Sequence, residues 1–149
     1  MIEAIILSIM AIIGISFSIT KAKTFQKIIS FGLSFSIFIT WIGDKNILLV
    51  SLLLLTMASL LTFIYGLTIK EISKIERISI CFIGLLFAVT IFSKIMYWQG
   101  ANLMKIILTF PFITYLTGLI INKKAITNET GFMIIWLSLL VIEIVKIWT

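Results

Sequence analysis

The chain has 149 residues, 61% of them apolar and only 12% charged, with a formal charge of +6. Its mean hydropathy is +1.24. Soluble domains carry about 45–50% apolar and about 25% charged residues, so a water-soluble enzyme, a nucleic-acid-binding protein and a disordered chain are excluded.

A helix needs about 20 mostly apolar residues to cross about 30 Å of hydrocarbon. The hydropathy pattern predicts six such segments, at residues 2–20, 25–43, 46–69, 77–98, 102–122 and 131–148. The runs are continuously apolar, unlike barrel strands, which alternate over about 10 residues. The expected fold is therefore all-α, a polytopic transmembrane helix bundle forming a single integral membrane domain over residues 1–149.

Residues 1–20 have neither a basic start nor a small-residue cleavage site and read as a retained span. Within it, Gly14 and Ser18 form a small-xxx-small pair, the kind of face that lets helices approach closely in lipid. Span 25–43 is densest in small residues, with Ser30/Ser34 and Gly32/Ser36/Thr40 at four-residue spacing. That predicts a central helix with Phe25, Phe35 and Phe38 turned elsewhere. The turns Gly43-Asp44-Lys45-Asn46 and Gln99-Gly100-Ala101-Asn102 predict helical hairpins. Glycine would supply the left-handed C-cap and asparagine would cap the next helix. Gly32-Leu-Ser-Phe leading to Trp41 parallels Gly84-Leu-Leu-Phe leading to Trp98, through either a duplicated hairpin or a shared capping pattern. Span 46–69 carries a further small pair, Thr62 and Gly66.

The loops sort by charge. Lys21, Lys23, Lys27, Lys70, Lys74, Arg77, Lys123 and Lys124 fall on one side, against Lys45, Lys94, Lys105 and Lys146 on the other. Basic residues of short loops favour the cytoplasmic side, so both termini are expected to be periplasmic, in a bacterial inner membrane. Trp41, Tyr97, Trp98 and Trp148 all fall at span ends on the outer side, where amphipathic rings settle at the headgroups.

Charges inside a span are costly, about 2.5–3.5 kcal/mol at the centre on insertion scales. Glu143 qualifies, with Lys146 at i+3 on the same face; it reads as a proton- or cation-carrying carboxylate or as an interfacial ion pair. Lys94 and Lys105 flank the turn before the fifth span, either sharing an anion, a lipid phosphate or a carboxylate such as Glu3 or Glu143, or extending to the headgroups. Pro111, the only proline, lies mid-span and should kink the helix, with Thr109, Thr114 and Thr117 near enough to satisfy freed carbonyls. Cys81 is the only cysteine and histidine is absent. No catalytic set, metal ligand set or cofactor motif is evident, and an enzyme is not expected.

The stretch Lys94-Ile-Met-Tyr-Trp-Gln-Gly-Ala-Asn-Leu-Met104 resembles a turn of small membrane proteins of Bacteroidetes, whose usual form is Lys-Ile-Met-His-Trp-Pro-Gly-Ala-Asn. A related hairpin occurs in the L subunit of the gliding-motility and type IX secretion motor. The resemblance implies a periplasmic turn, in agreement with the charge count. Tyr97 and Gln99 depart from the pattern, and residues 102–122 lack the acidic residue found after this turn in the motor subunit, so proton-driven motor function is not implied.

The expected role is that of an accessory or scaffold subunit of a membrane complex, its partners being the bilayer and another membrane protein or copies of itself. A small transporter or channel and a membrane-acting immunity or defence protein are the alternatives.

Overall fold

The computed structural model describes residues 2–42, 44–96, 101–124 and 126–148. It is 88% helical, with six α-helices and no strand among the described residues. These are α1 (Ile2–Lys21), α2 (Thr24–Ile39, extended by a 3-10 turn at Thr40–Ile42), α3 (Lys45–Thr68), α4 (Lys74–Ile95), α5 (Ala101–Ile121) and α6 (Thr130–Trp148). All six are long and apolar enough to cross a membrane.

The helix starts differ from the expected ones for reasons of capping. Asp44, not Asn46, caps α3: its carboxylate oxygen accepts the Asn46 N–H at 3.2 Å, the N2 donor of an N-cap. Helix α4 begins a turn earlier than hydropathy suggests, because the Ser73 hydroxyl accepts the Glu76 N–H at 3.3 Å. Asn102 lies within α5 rather than before it. Gly43, Tyr97, Trp98, Gln99 and Gly100 lie outside the described residues, as does the Trp148 side chain.

Two compact units are distinguished, one comprising residues up to Leu55 together with those from Thr127 onward, the other Thr56–Ile126. In the first, α1, α2 and α6 pack pairwise. The closest approach joins α1 to α6. A Cβ on Gly131 would collide with the Ser18 hydroxyl and stand 2.6 Å from the Gly14 carbonyl, and one on Gly14 would stand 2.6 Å from the Gly131 carbonyl. Backbone thus meets backbone, and the Gly14/Ser18 face is matched by a glycine. The Ser18 and Ser30 hydroxyls share a hydrogen bond at 2.5 Å between α1 and α2.

Helix α2 buries Ile29, Ser30, Leu33, Ser34, Ser36 and Ile37 and exposes Phe25, Phe35 and Phe38, as its pattern predicts. Helix α2 packs against both α1 and α6, and Ser51 of α3 donates to its Ser36 carbonyl at 2.8 Å.

The buried serines of α2 differ in what they hold. Ser34 Oγ is buried with no hydrogen-bond partner, so Ser34→Ala removes an unsatisfied polar atom and should leave stability unchanged or raise it. Ser30→Ala removes the bond to Ser18 and should cost roughly 0.6 kcal/mol, the average for interhelical bonds in lipid. Denaturant titration of both variants in micelles checks the order.

In the second unit, α3 and α4 approach through two glycines. A Cβ on Gly84 would strike the Phe63 amide nitrogen and lie 2.7 Å from the Ser59 carbonyl, and one on Gly66 would lie 2.8 Å from the Cys81 nitrogen. The Arg77 guanidinium donates to the carbonyls of Gly66 at 3.1 Å and Leu67 at 2.7 Å, satisfying two of the last acceptors of α3 with a cation at the negative end of the helix. Helices α4 and α5 meet through Phe87 and Phe112, edge to face at 6.1 Å, and through the Ser79 and Thr114 hydroxyls at 2.8 Å.

Candidate functional site

Helix α4 starts on Ser73-x-x-Glu76, a capping-box spacing that places an acidic residue in the first turn, where the helix dipole favours negative charge. The Glu76 side chain turns inward and is 0% exposed. The end of α5 receives it. Asn122 Nδ2 donates to Glu76 Oε1 at 2.6 Å, and Lys124 Nζ stands 3.7 Å from Oε2, its own side chain 39% exposed. Oε2 has no hydrogen-bond partner. Gly118 makes room, since a Cβ there would stand 3.1 Å from Glu76 Cγ.

The turn that delivers Asn122 and Lys124 is a Schellman motif. Lys124 N–H donates to the Leu119 carbonyl at 3.0 Å and Lys123 N–H to that of Ile120 at 3.1 Å. The left-handed position of such a motif usually holds glycine; here it holds Lys123, at φ 52°. The cost is of order 1 kcal/mol. Beside it, Leu116, Leu119 and Ile120 form an apolar hollow of about 470 Å³, with Lys123 and Lys124 at its edge.

The first unit holds a comparable arrangement. Glu129, just before α6, is buried, and so is Gln26 in the first turn of α2. Gln26 Nε2 donates to Glu129 Oε1 at 3.1 Å, while Gln26 Oε1 accepts the Lys23 N–H at 2.6 Å. Each unit therefore buries a carboxylate that takes an amide donor from a neighbouring helix. A carboxylate drawn out of water costs several kcal/mol unless hydrogen-bonded or paired, and each amide supplies one of the bonds that offset this.

The residues singled out in the sequence fall elsewhere. Lys146 reaches Glu3 across the α1–α6 pair at 2.8 Å; both side chains are about half exposed, and such a pair is worth at most about 1 kcal/mol. Glu143 is half-buried in α6. Lys94 is half-buried, whereas Lys105 is only 8% exposed.

Pro111 is buried, and α5 runs as one uninterrupted helix through it. Thr114 donates to the Pro111 carbonyl at 2.9 Å and Thr117 to that of Ile113 at 2.7 Å; Thr109 is half-buried. This corrects the role expected of Thr114 and Thr117. A threonine bonds back three or four residues, so these two reach carbonyls at and beyond the proline, while the acceptors it frees lie before it. An apolar groove of about 430 Å³ runs between α4 and α5 past Phe82, Phe110 and Pro111, with Ser79 and Thr114 at its wall.

Sequence reasoning missed Glu76, Asn122 and Glu129 because it assigned all three to loops or span ends. The Ser73-x-x-Glu76 spacing was the available signal for the first. Gln26 and Glu129 lie far apart in sequence, and no local pattern joins them. No protein-family model matches the chain, and neither a curated protein nor a solved structure matches it.

Proposed function

We propose that this is a bacterial inner-membrane protein with both termini periplasmic, acting through helix–helix contact as an accessory or scaffold subunit of a membrane complex. The observation that carries this reading is the disposition of polar groups. Hydroxyls within the spans donate to carbonyls of their own helix, as in Ser16, Ser36, Thr62, Thr90, Ser93 and Ser138. Others bond a neighbouring helix, as in Ser18–Ser30 and Ser79–Thr114. The faces turned outward are apolar: Ile5, Ile9 and Ile12 on α1, Leu53, Met57 and Leu60 on α3, and Phe31, Phe35 and Phe38 on α2. Such a surface suits lipid and other transmembrane helices, which is the chemistry of a subunit rather than of a catalyst, and the reading excludes enzymatic activity. The proposed orientation places Glu76 and Glu129 at the cytoplasmic ends of their helices. The turn resembling the gliding and type IX secretion hairpin would then face the periplasm.

Crosslinking in native membranes, followed by mild-detergent purification and mass spectrometry, tests the reading. Another membrane protein or a second copy of the chain should be recovered in stoichiometric yield. A monodisperse monomer that crosslinks to nothing would refute it.

A small transporter is the second reading, favoured by one observation: the buried Oε2 of Glu76, which has the Lys124 ammonium at 3.7 Å but no hydrogen-bond partner, the kind of buried carboxylate that marks ion pathways. Cysteines placed singly at Thr109, Thr114 and Thr117 separate the two readings. Reaction with a water-soluble thiol reagent at these positions supports transport, and uniform protection supports the scaffold.

A further inference from the structure

We infer that the end of α5 holds one anionic phospholipid, its phosphate at Lys123 with Lys124 beside it and an acyl chain along Leu116, Leu119 and Ile120. This rests on the chain crossing a bilayer and is independent of the scaffold reading. Three observations converge. Leu116, Leu119, Ile120, Lys123 and Lys124 line one open hollow of about 470 Å³. Ile120, 77% exposed, lies on its wall, an apolar surface that must be covered by hydrocarbon. Its apolar wall runs from Leu116 to Ile120, about 6 Å along the helix, the outer part of the ~15 Å of hydrocarbon in one leaflet.

Charge selects the headgroup class. Lys124 is partly engaged by Glu76 at 3.7 Å, whereas Lys123 makes no ion pair among the described residues. Two ammonium groups less one carboxylate leave one positive charge, which complements a lipid phosphate bearing one net negative charge. Basic side chains at such a depth attract anionic headgroups. The left-handed backbone of Lys123 (φ 52°) would be served better by glycine, so the lysine is held beside the hollow at a cost in stability.

Native mass spectrometry of the purified full chain, released from micelles containing equal dioleoyl phosphatidylglycerol and dioleoyl phosphatidylcholine, provides the test. The wild type should retain one phosphatidylglycerol in preference to phosphatidylcholine by about fivefold, the attraction of roughly one basic residue near the headgroups. Lys123→Gly should bring the ratio to near unity while the chain melts at the same or a higher temperature, and Lys123→Arg should keep the preference. Leu119→Trp, which fills the hollow, should lower retention of both lipids. Equal retention of the two lipids by the wild type, or an unchanged preference in Lys123→Gly, would overturn the site. Displacement of the lipid by inorganic phosphate would also overturn it, by showing that the lysines bind an anion without the hollow.

Discussion

Replacing Gly84 by valine is expected to destabilise the second unit by about 3 kcal/mol or more, the upper range for forcing extra atoms into a packed interior. The first added carbon would strike the Phe63 amide nitrogen and lie 2.7 Å from the Ser59 carbonyl and 2.9 Å from Phe63 Cα. All three are backbone atoms of α3, held by their own helical hydrogen bonds, and none swings aside as a side chain would. The helices must separate, and the contact at Gly66, one side of the same pair, opens with them. In lipid little is gained by burying apolar surface, so the lost van der Waals contact is not recovered elsewhere. Gly118→Ala is the matched control. Its added carbon would meet Glu76 Cγ at 3.1 Å and Ile75 Cγ2 at 3.5 Å, flexible side-chain atoms that yield by a few tenths of an ångström. Its cost should stay near or below about 1 kcal/mol. Denaturant titration in mixed micelles, read by helicity, checks both; a Gly84→Val protein as stable as Gly118→Ala would refute the backbone-contact account.

The second large effect is an asymmetry between partners at Glu76. Asn122→Leu withdraws the amide from Oε1 of a fully buried carboxylate whose other oxygen already lacks a hydrogen-bond donor. Stranding a buried charged group costs more than the ordinary 1–3 kcal/mol for an unsatisfied polar atom. Replacing both residues, as Glu76→Leu with Asn122→Leu, removes the polar requirement altogether. Lys124, already partly exposed, then turns to water. The double variant should therefore be more stable than Asn122→Leu alone, by about 2 kcal/mol, and a double-mutant cycle isolates the coupling. Additive costs would show that the carboxylate does not depend on the amide.

Much of the architecture was legible in the sequence because lipid imposes one strong rule: backbone groups must be satisfied within the segment, so a long apolar run is a helix. The outward phenylalanines of α2 and the Gly14/Ser18 face followed from spacing alone. Hydropathy failed at the ends, where Ser73 and Asp44 decide the first residue of a helix by offering an oxygen to a free amide, which apolarity does not record. It failed again at Glu76 and Glu129. An acid near a span boundary adds little to a windowed average, and only the neighbouring helix, bringing Asn122 or Gln26, makes its burial affordable. Gly131 was invisible for a related reason: a lone glycine at the start of a span signals nothing until its opposite number on α1 is known.

That pairing bears on how the polypeptide is assembled. The α3–α4 hairpin carries its own fastenings, Gly66, Arg77 and Gly84, within a short local stretch, and is free to close as soon as it leaves the translocon. The seat for Gly131, by contrast, is made well before it is filled, because the other four described helices are synthesised between α1 and α6. Until synthesis reaches α6, the notch at Gly14 and Ser18 stands open to the bilayer. A nascent chain halted before that point would display an adhesive surface, ready to engage whichever small-residue helix drifts past.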